Sequence, residues 1–395
     1  MTTRPLHPGV TSLARSRRAA QAAFATQGLV YISLTARLPR FQDRWHLSDL
    51  GLSGLLLMMV LLAGAGSVAA EHLARRHPSA SLLRAGLVLI ALGLPIITTA
   101  PAGGVFVLGL AVYGVALGIV DASTNMQAVA IEYAYGRPIL PSFHGAWTLG
   151  GVIGGALALA LGGAPLWADA FLAVVPLAVA TGPLLPRVGA MADVGLGDIP
   201  WRPILLVGLG MVLFYMVDTA AQTWGPAYLD DVFPTPHRLV ALATFPYLVA
   251  SLVTRLAGDG LVLRHGPTRV LRVGALVACA ALAVVVFAPT WPVAVLGFTV
   301  LGAGVAVIAP LSFSAAARIA AGSPTALGTG ERARVDAVIA RFNQFNYVGA
   351  LLGSVLTGVV GSGTLRVGFA VPMVLILAML PLARAFAVEA PLRHG

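Results

Sequence analysis

Residues 105–120 read VFVLGLAVYGVALGIV, an unbroken run without a charge, and the stretch continues into Asp121, Ser123, Thr124, Asn125 and Gln127. Strands of a membrane β-barrel are short and alternate apolar with polar positions; this run does neither, so it reads as a helix. Residues 275–287 form a second such run. The whole chain follows suit: of 395 residues 58% are hydrophobic and 10% charged, and mean hydropathy is +0.89. A globular domain needs roughly 25% charged residues to face water, so a soluble enzyme is excluded and the surrounding medium is lipid. Each crossing of the bilayer takes about 20 residues, and twelve crossings fit the length with room for connections.

Breaks at Pro, Gly and charged residues place helices near 19–38, 49–73, 82–99, 103–131, 142–161 and 166–185. A second set follows near 203–228, 238–263, 270–288, 291–318, 336–360 and 366–387. The expectation is an all-α polytopic membrane protein, its twelve transmembrane helices in two pseudo-symmetric six-helix bundles. Residues 19–186 would form the N-terminal bundle and 203–387 the C-terminal one. They are flanked by a tail at 1–18, a relatively polar linker at 187–202 and a tail at 388–395. The basic residues number 25 and are all Arg, against 15 acids. With the N-terminus inside, 20 Arg fall in cytoplasmic segments, and only Arg37, Arg40, Arg44, Arg238 and Arg366 fall outside. This is a strong positive-inside bias, and it places both termini in the cytoplasm of a multi-pass cell-membrane protein. No small-residue cleavage site follows the first apolar run, so the first helix is expected to stay as an anchor. Cys279 stands alone, which excludes an internal disulfide.

The halves repeat one another. Leu83-Arg84-Ala85-Gly86 is matched by Leu271-Arg272-Val273-Gly274, and Phe143 with Gly150 and Gly154 is matched by Phe342 with Gly349 and Gly353. Internal repeats of this kind are common in transporters. The segment Asp121-Ala122-Ser123-Thr124-Asn125-Met126-Gln127, then Gly136-Arg137-Pro138 and Ser142-Phe143-His144-Gly145-Ala146-Trp147, resembles the turn between helices 4 and 5 of the major facilitator superfamily. More closely, it resembles bacterial members near its sugar-permease and small-metabolite branch. Asp218, Trp224 and Tyr228-Leu229 are similar to the seventh helix of the same relatives. The loop after helix 2 keeps Arg76 of the superfamily's pattern but has Arg75 in place of the acid. Its second copy keeps Arg264, Gly266 and Arg269 and has Leu263 there. The resemblance implies a twelve-helix secondary transporter with loop gates near Arg76 and Arg264.

Ionisable groups inside apolar helices cost roughly 2.5 to 3.5 kcal/mol each at the bilayer centre, so the few present are functional candidates. Asp218 and Gln222 share a helical face, and an acid in a dry cavity is suited to carry a proton. Asp121, in the inner half of helix 4 with Asn125 on its face, is a second proton candidate; a structural hydrogen bond or gate network stays open for both acids. Gln27 and Tyr31, one turn apart, suit hydrogen bonding to a polar cargo. So do Asn125, Trp147, Gln222, Asn343, Asn346 and Tyr347, with helix packing as the competing account. His144 is a candidate gate residue. Arg255 and Asp259, one turn apart, are expected to form a salt bridge at an inner gate.

No phosphate loop, His-Glu-x-x-His, Cys-x-x-Cys or Gly-x-Ser-x-Gly is present in the sequence, so ATP, metal-dependent and serine-hydrolase chemistry lack residues. Neither enzyme activity nor a cofactor is expected. The expected partners are a small-molecule substrate, protons and membrane lipid, with no nucleic acid, and the chain is expected to act as a monomer. The glycines from Ala146 to Gly155 resemble an antiporter signature in helix 5. The sequence therefore leans to proton-coupled export of a small organic solute by alternating access. Uptake of a sugar or similar metabolite by symport is the alternative, and a non-transporting receptor or scaffold on the same fold a third reading. The arginine distribution yields a direct test: reporters fused after Gly395 and inserted within 189–197 should both give a cytoplasmic signal. A periplasmic signal from either overturns the twelve-helix topology.

Overall fold

The computed structural model describes residues 10–161, 164–186, 199–236, 239, 242–322 and 329–387. Every regular element among them is helical. The first half comprises α1 (Val10–Thr35), α2 (Asp49–Ala74), α3 (Ser79–Thr99), α4 (Gly103–Tyr135), α5 (Leu140–Ala160) and α6 (Leu166–Ala180). The second comprises α7 (Trp201–Val232), α8 (Phe245–His265), α9 (Pro267–Phe287), α10 (Trp291–Ala321), α11 (Thr329–Phe342, then Gln344–Val360) and α12 (Leu365–Phe386). This is the all-α, twelve-helix architecture that the apolar runs require. Lipid offers no hydrogen bonds, so each crossing satisfies its backbone internally.

Several boundaries differ from the sequence reading. α1 starts earlier, at Val10, because nothing in the polar 10–18 stretch breaks a helix. A short helix, Leu38–Trp45, follows it: a proline opens it, and Phe41 and Trp45 stack on Phe106 at 5.1 and 5.8 Å between ring centroids. α6 begins as a 3-10 helix over Leu166–Ala173. α8 starts at Phe245, and the expected residues before it fall partly outside the described ones. α10 is interrupted between Val305 and Ile308, and α11 at Asn343. The break in α10 has a chemical cause. Pro310 has no N–H to donate to the Ala306 carbonyl four residues earlier. Residues 187–198 of the expected linker, residues 1–9 of the N-terminal tail and all of the C-terminal tail lie outside the described residues. Gly136 ends α4 at φ 62°, its N–H reaching the Glu132 and Tyr133 carbonyls, a left-handed cap that L side chains rarely adopt.

The chain separates into two compact units. One holds Met1–Arg137, Leu149–Leu196 and Pro324–Arg341; the other holds Pro138–Thr148, Gly197–Ser323 and Phe342–Gly395. Each half of the sequence thus lends the beginning of its fifth helix to the unit built mainly from the other half. Within each unit, glycines let helices touch backbone to backbone. In the first, a Cβ on Gly118 of α4 would overlap the Ala63 carbonyl of α2, and Cβ atoms on Gly150 and Gly154 of α5 would overlap the Ala25 and Leu29 carbonyls of α1. In the second, Gly302 of α10 meets the Tyr247 carbonyl of α8, while Gly349 and Gly353 of α11 meet the Val212 and Met216 carbonyls of α7. The Gly118–Ala63 and Gly302–Tyr247 contacts correspond at a common offset of 184 residues. The repeat read from the glycines is therefore a repeat of packing.

Adding one carbon at such a contact forces backbones apart, at a cost of about 1–3 kcal/mol. Gly118→Ala and Gly150→Ala should each lower the melting temperature of the detergent-purified protein by several degrees. Gly54→Ala, where nothing lies within 4 Å of the added carbon, should leave it unchanged.

Candidate functional site

In the second unit the polar residues gather between α7 and α8. Tyr247, Ser251 and Arg255 recur every four residues on the buried face of α8. Opposite them on α7 stands Asp218. One of its carboxylate oxygens accepts from the Tyr247 hydroxyl at 2.5 Å, and the other from Gln222 Nε2 at 2.7 Å. Asp218 and Gln222 thus share a helical face as their spacing demands, and Tyr247 completes the cluster from the neighbouring helix.

Arg255 is 6% exposed and its partners are neutral. Its Nε donates to the Ala306 carbonyl at 3.0 Å, the group that Pro310 leaves without an intrahelical partner. Its Nη1 donates to the Thr148 hydroxyl, which itself donates to the His144 carbonyl at 3.1 Å. The guanidinium lies 5.8 Å from the centre of the Phe214 ring, one turn before Asp218 on α7. The expected salt bridge with Asp259 is absent. Asp259 Oδ1 instead accepts the Ser142 backbone N–H at 2.9 Å. One turn along a helix brings two side chains within reach, but a freed carbonyl and a helix-start N–H claim them first. Both residues consequently hold the start of α5 against α8. His144, 8% exposed, stacks on Phe313 of α10 at 5.9 Å.

The first unit holds a second cluster. Gln27 Nε2 donates to Asp121 Oδ1 at 3.3 Å, and Asn125 Nδ2 donates to the Asp121 carbonyl at 2.9 Å. The other ends of these amides, Gln27 Oε1 and Asn125 Oδ1, are buried without a protein donor among the described residues. Such acceptors call for a ligand that donates hydrogen bonds. At the C-terminal end of α2, Glu71 is gripped by Arg341 through Nε at 3.1 Å and Nη2 at 2.5 Å, with Arg75 at 3.5 Å. The Ser67 hydroxyl adds a bond to the Ala340 carbonyl at 3.0 Å. Glu71 thus supplies the acid that the loop pattern lacks at Arg75.

The remaining expected site residues are dispersed. Asn343 and Asn346 bond to each other at 2.7 Å across the break in α11, and Tyr31, Trp147 and Tyr347 are half-buried. Arg76 and Arg264 are exposed at helix ends, outside both clusters. Trp224, part of the seventh-helix resemblance, donates to the Ser354 carbonyl at 2.9 Å, a packing role. Sequence reasoning missed Tyr247, Ser251, Thr148 and Glu71. The four-residue spacing of Tyr247, Ser251 and Arg255 was the available signal for the first two.

The sequence profile of the Major Facilitator Superfamily matches residues 2–139. The structure resembles that of a superfamily transporter, FucP, in the outward conformation, with a TM-score of 0.78 over 96% of this chain and 100% of that one at 17% identity. The chain is thus similar to the major facilitator superfamily in sequence over its first third and in fold over nearly its whole length. An uncharacterized MFS-type transporter of Yersinia pestis is 28% identical over 96% of this chain and 97% of its own. An uncharacterized transporter of Sinorhizobium fredii is 27% identical over 76% of this chain and 82% of its own. A proton:xylose symporter, XylE, bound to 6-bromo-6-deoxy-D-glucose shares the fold at a TM-score of 0.70 and 12% identity, covering 94% of this chain and 95% of that one. Both sequence relatives are named as transporters, and the fold is shared with membrane transporters.

The contacts at the C-terminal ends of α2 and α8 respond differently to paired substitution. Arg255→Gln and Asp259→Ala should be additive in melting free energy within about 0.5 kcal/mol, because the two side chains do not touch. Glu71→Gln and Arg341→Gln should show coupling of about 1 kcal/mol, since each contributes to one two-pronged pair.

Proposed function

We propose that this protein is a transporter of the major facilitator type that moves a small polar organic solute across the cell membrane by alternating access, coupled to protons through Asp218. The observation that carries the reading is the bridging position of this acid. Its two oxygens accept bonds from Gln222 on α7 and from Tyr247 on α8. A proton added to either oxygen weakens that oxygen as an acceptor, so the bond it receives is loosened or, for the Tyr247 hydroxyl, can reverse. Proton occupancy is thereby linked to how α7 meets α8, which is what a coupling residue requires.

Gln27, Asn125 and Asp121 supply hydrogen-bond acceptors for the solute in the first unit, with Gln27 Oε1 and Asn125 Oδ1 the groups in want of donors. Arg255, Asp259 and Glu71 act at the inner gate: with both termini in the cytoplasm, they fasten the beginnings of α5 and α11 at that side. The glycines of α5 that leaned the sequence toward export are occupied by the α1 backbone, so packing accounts for their spacing.

Asp218→Asn keeps shape and hydrogen bonding but takes up no proton. In proteoliposomes, uphill accumulation driven by a pH gradient should disappear while exchange of solute at equal concentration persists. Retention of gradient-driven accumulation in this variant moves the coupling role elsewhere, with Asp121 next in line.

A further inference from the structure

A cation buried in a membrane protein is normally paired with a carboxylate, because its desolvation is otherwise uncompensated. Arg255 is an exception. Its hydrogen bonds go to a carbonyl and a hydroxyl, its face rests on Phe214, and Nη2 carries no hydrogen bond among the described residues. Among the described residues no carboxylate forms an ion pair with it. Asp259, the acid one turn away, is engaged with the Ser142 N–H.

The internal repeat sharpens the contrast. At the offset of 184 residues that relates the α2–α4 and α8–α10 glycine contacts, Arg255 corresponds to Glu71 and Asp259 to Arg75. Glu71 is fully consumed by Arg341 and Arg75. Its counterpart is a charge held in place by neutral groups and left without an opposite charge in contact. Such an arrangement fixes a guanidinium without neutralising it, as a site for an incoming anion would.

We infer that Arg255 is the recognition group for an anionic substrate, and that the transported solute is a small organic acid whose carboxylate meets this guanidinium. The Arg255 charge acts on Asp218, Tyr247 and His144. The charged and titratable groups around Asp218 are Tyr247 and Arg255 from α8; α5 and α11 add His144 and Tyr347 to the unit. Ionised, Asp218 balances the buried cation through space. Protonated, it leaves that charge to be balanced by the carboxylate of the substrate. Proton and monovalent anion then bind together and travel together, as electroneutral symport. This step rests on the coupling role proposed for Asp218; the anion site itself does not.

The test uses the full-length protein in detergent and three matched pairs of probes: glucuronate against glucose, lactate against 1,2-propanediol, and benzoate against benzyl alcohol. In the wild type, the acid of at least one pair should raise the melting temperature by several degrees while its neutral counterpart does not. Arg255→Gln should weaken that acid by tenfold or more, and Arg255→Lys should recover part of the loss. Asp218→Asn, which removes the competing carboxylate, should bind the acid at least threefold more tightly. The proposal is overturned if no acid in the panel stabilises the wild type, if a neutral member stabilises as well as its acid, or if Arg255→Gln keeps the full effect. The wild-type comparison of acid with neutral probe decides the matter even if Arg255→Gln does not fold. Tighter acid binding by Asp218→Asn together with surviving uphill accumulation sinks the proton reading and upholds the anion site.

Discussion

Lipid supplies no hydrogen bonds, so every backbone carbonyl that leaves a helix ladder must find a donor inside the protein. The guanidinium groups of this chain answer much of that demand. Arg37, Arg40 and Arg44 donate to the carbonyls of Leu161, Ala164 and Ala100, and Arg366 donates to those of Val286 and Ala288. These are four of the five arginines that the charge distribution places on the outer side. Their departure from the positive-inside pattern has a local reason: they close helix ends. Arg offers five donors in a rigid fork and suits this duty better than Lys, which the sequence lacks altogether. Arg255 does the same for Ala306, in mid-helix, where Pro310 opens the ladder.

What could be read from the sequence divides along this line. Lipid-facing helices announce themselves by unbroken apolar runs, and α4 and α9 end within four residues of the bounds read from the sequence. Glycines announce close approach, and Gly150, Gly154, Gly349 and Gly353 fell where the repeat put them. Partners chosen across the fold were not legible. The spacing of Arg255 and Asp259 was correct for a pair, yet it carries no information about the Ala306 carbonyl or the Ser142 N–H. Those competitors come from residues 51 and 117 positions away along the chain. Pro310 alone marked Ala306 as short of a donor. The short helix Leu38–Trp45 was hidden for another reason: its burial depends on stacking against Phe106, which adjacent sequence does not encode.

The site residues follow the same rule. Asp218 with Gln222 is a contact within one helix, and it was visible as such. Gln27 with Asp121 joins α1 to α4, and only the fold could assign it. Tyr247 escaped notice because a tyrosine in an apolar helix is unexceptional until its hydroxyl is seen on a carboxylate. Glu71 escaped because the loop pattern directed attention to Arg75, one turn further along α2.

The repeat turns these separate contacts into one design with the charges inverted. In the first unit the end of α2 offers Glu71 and Arg75 to the start of α11; in the second the end of α8 offers Arg255 and Asp259 to the start of α5. Each half lends its fifth helix start to the other unit by the same route. An ion pair closes one copy, and an oxygen-lined guanidinium with a capped N–H closes the other. Had both copies used ion pairs, each would be a latch and nothing more. Because the second is fastened by a hydroxyl and a carbonyl, opening or closing it leaves the charge of Arg255 unchanged. Its electrostatic balance is therefore free to depend on Asp218, one turn beyond Phe214, and not on the helix start that it fastens.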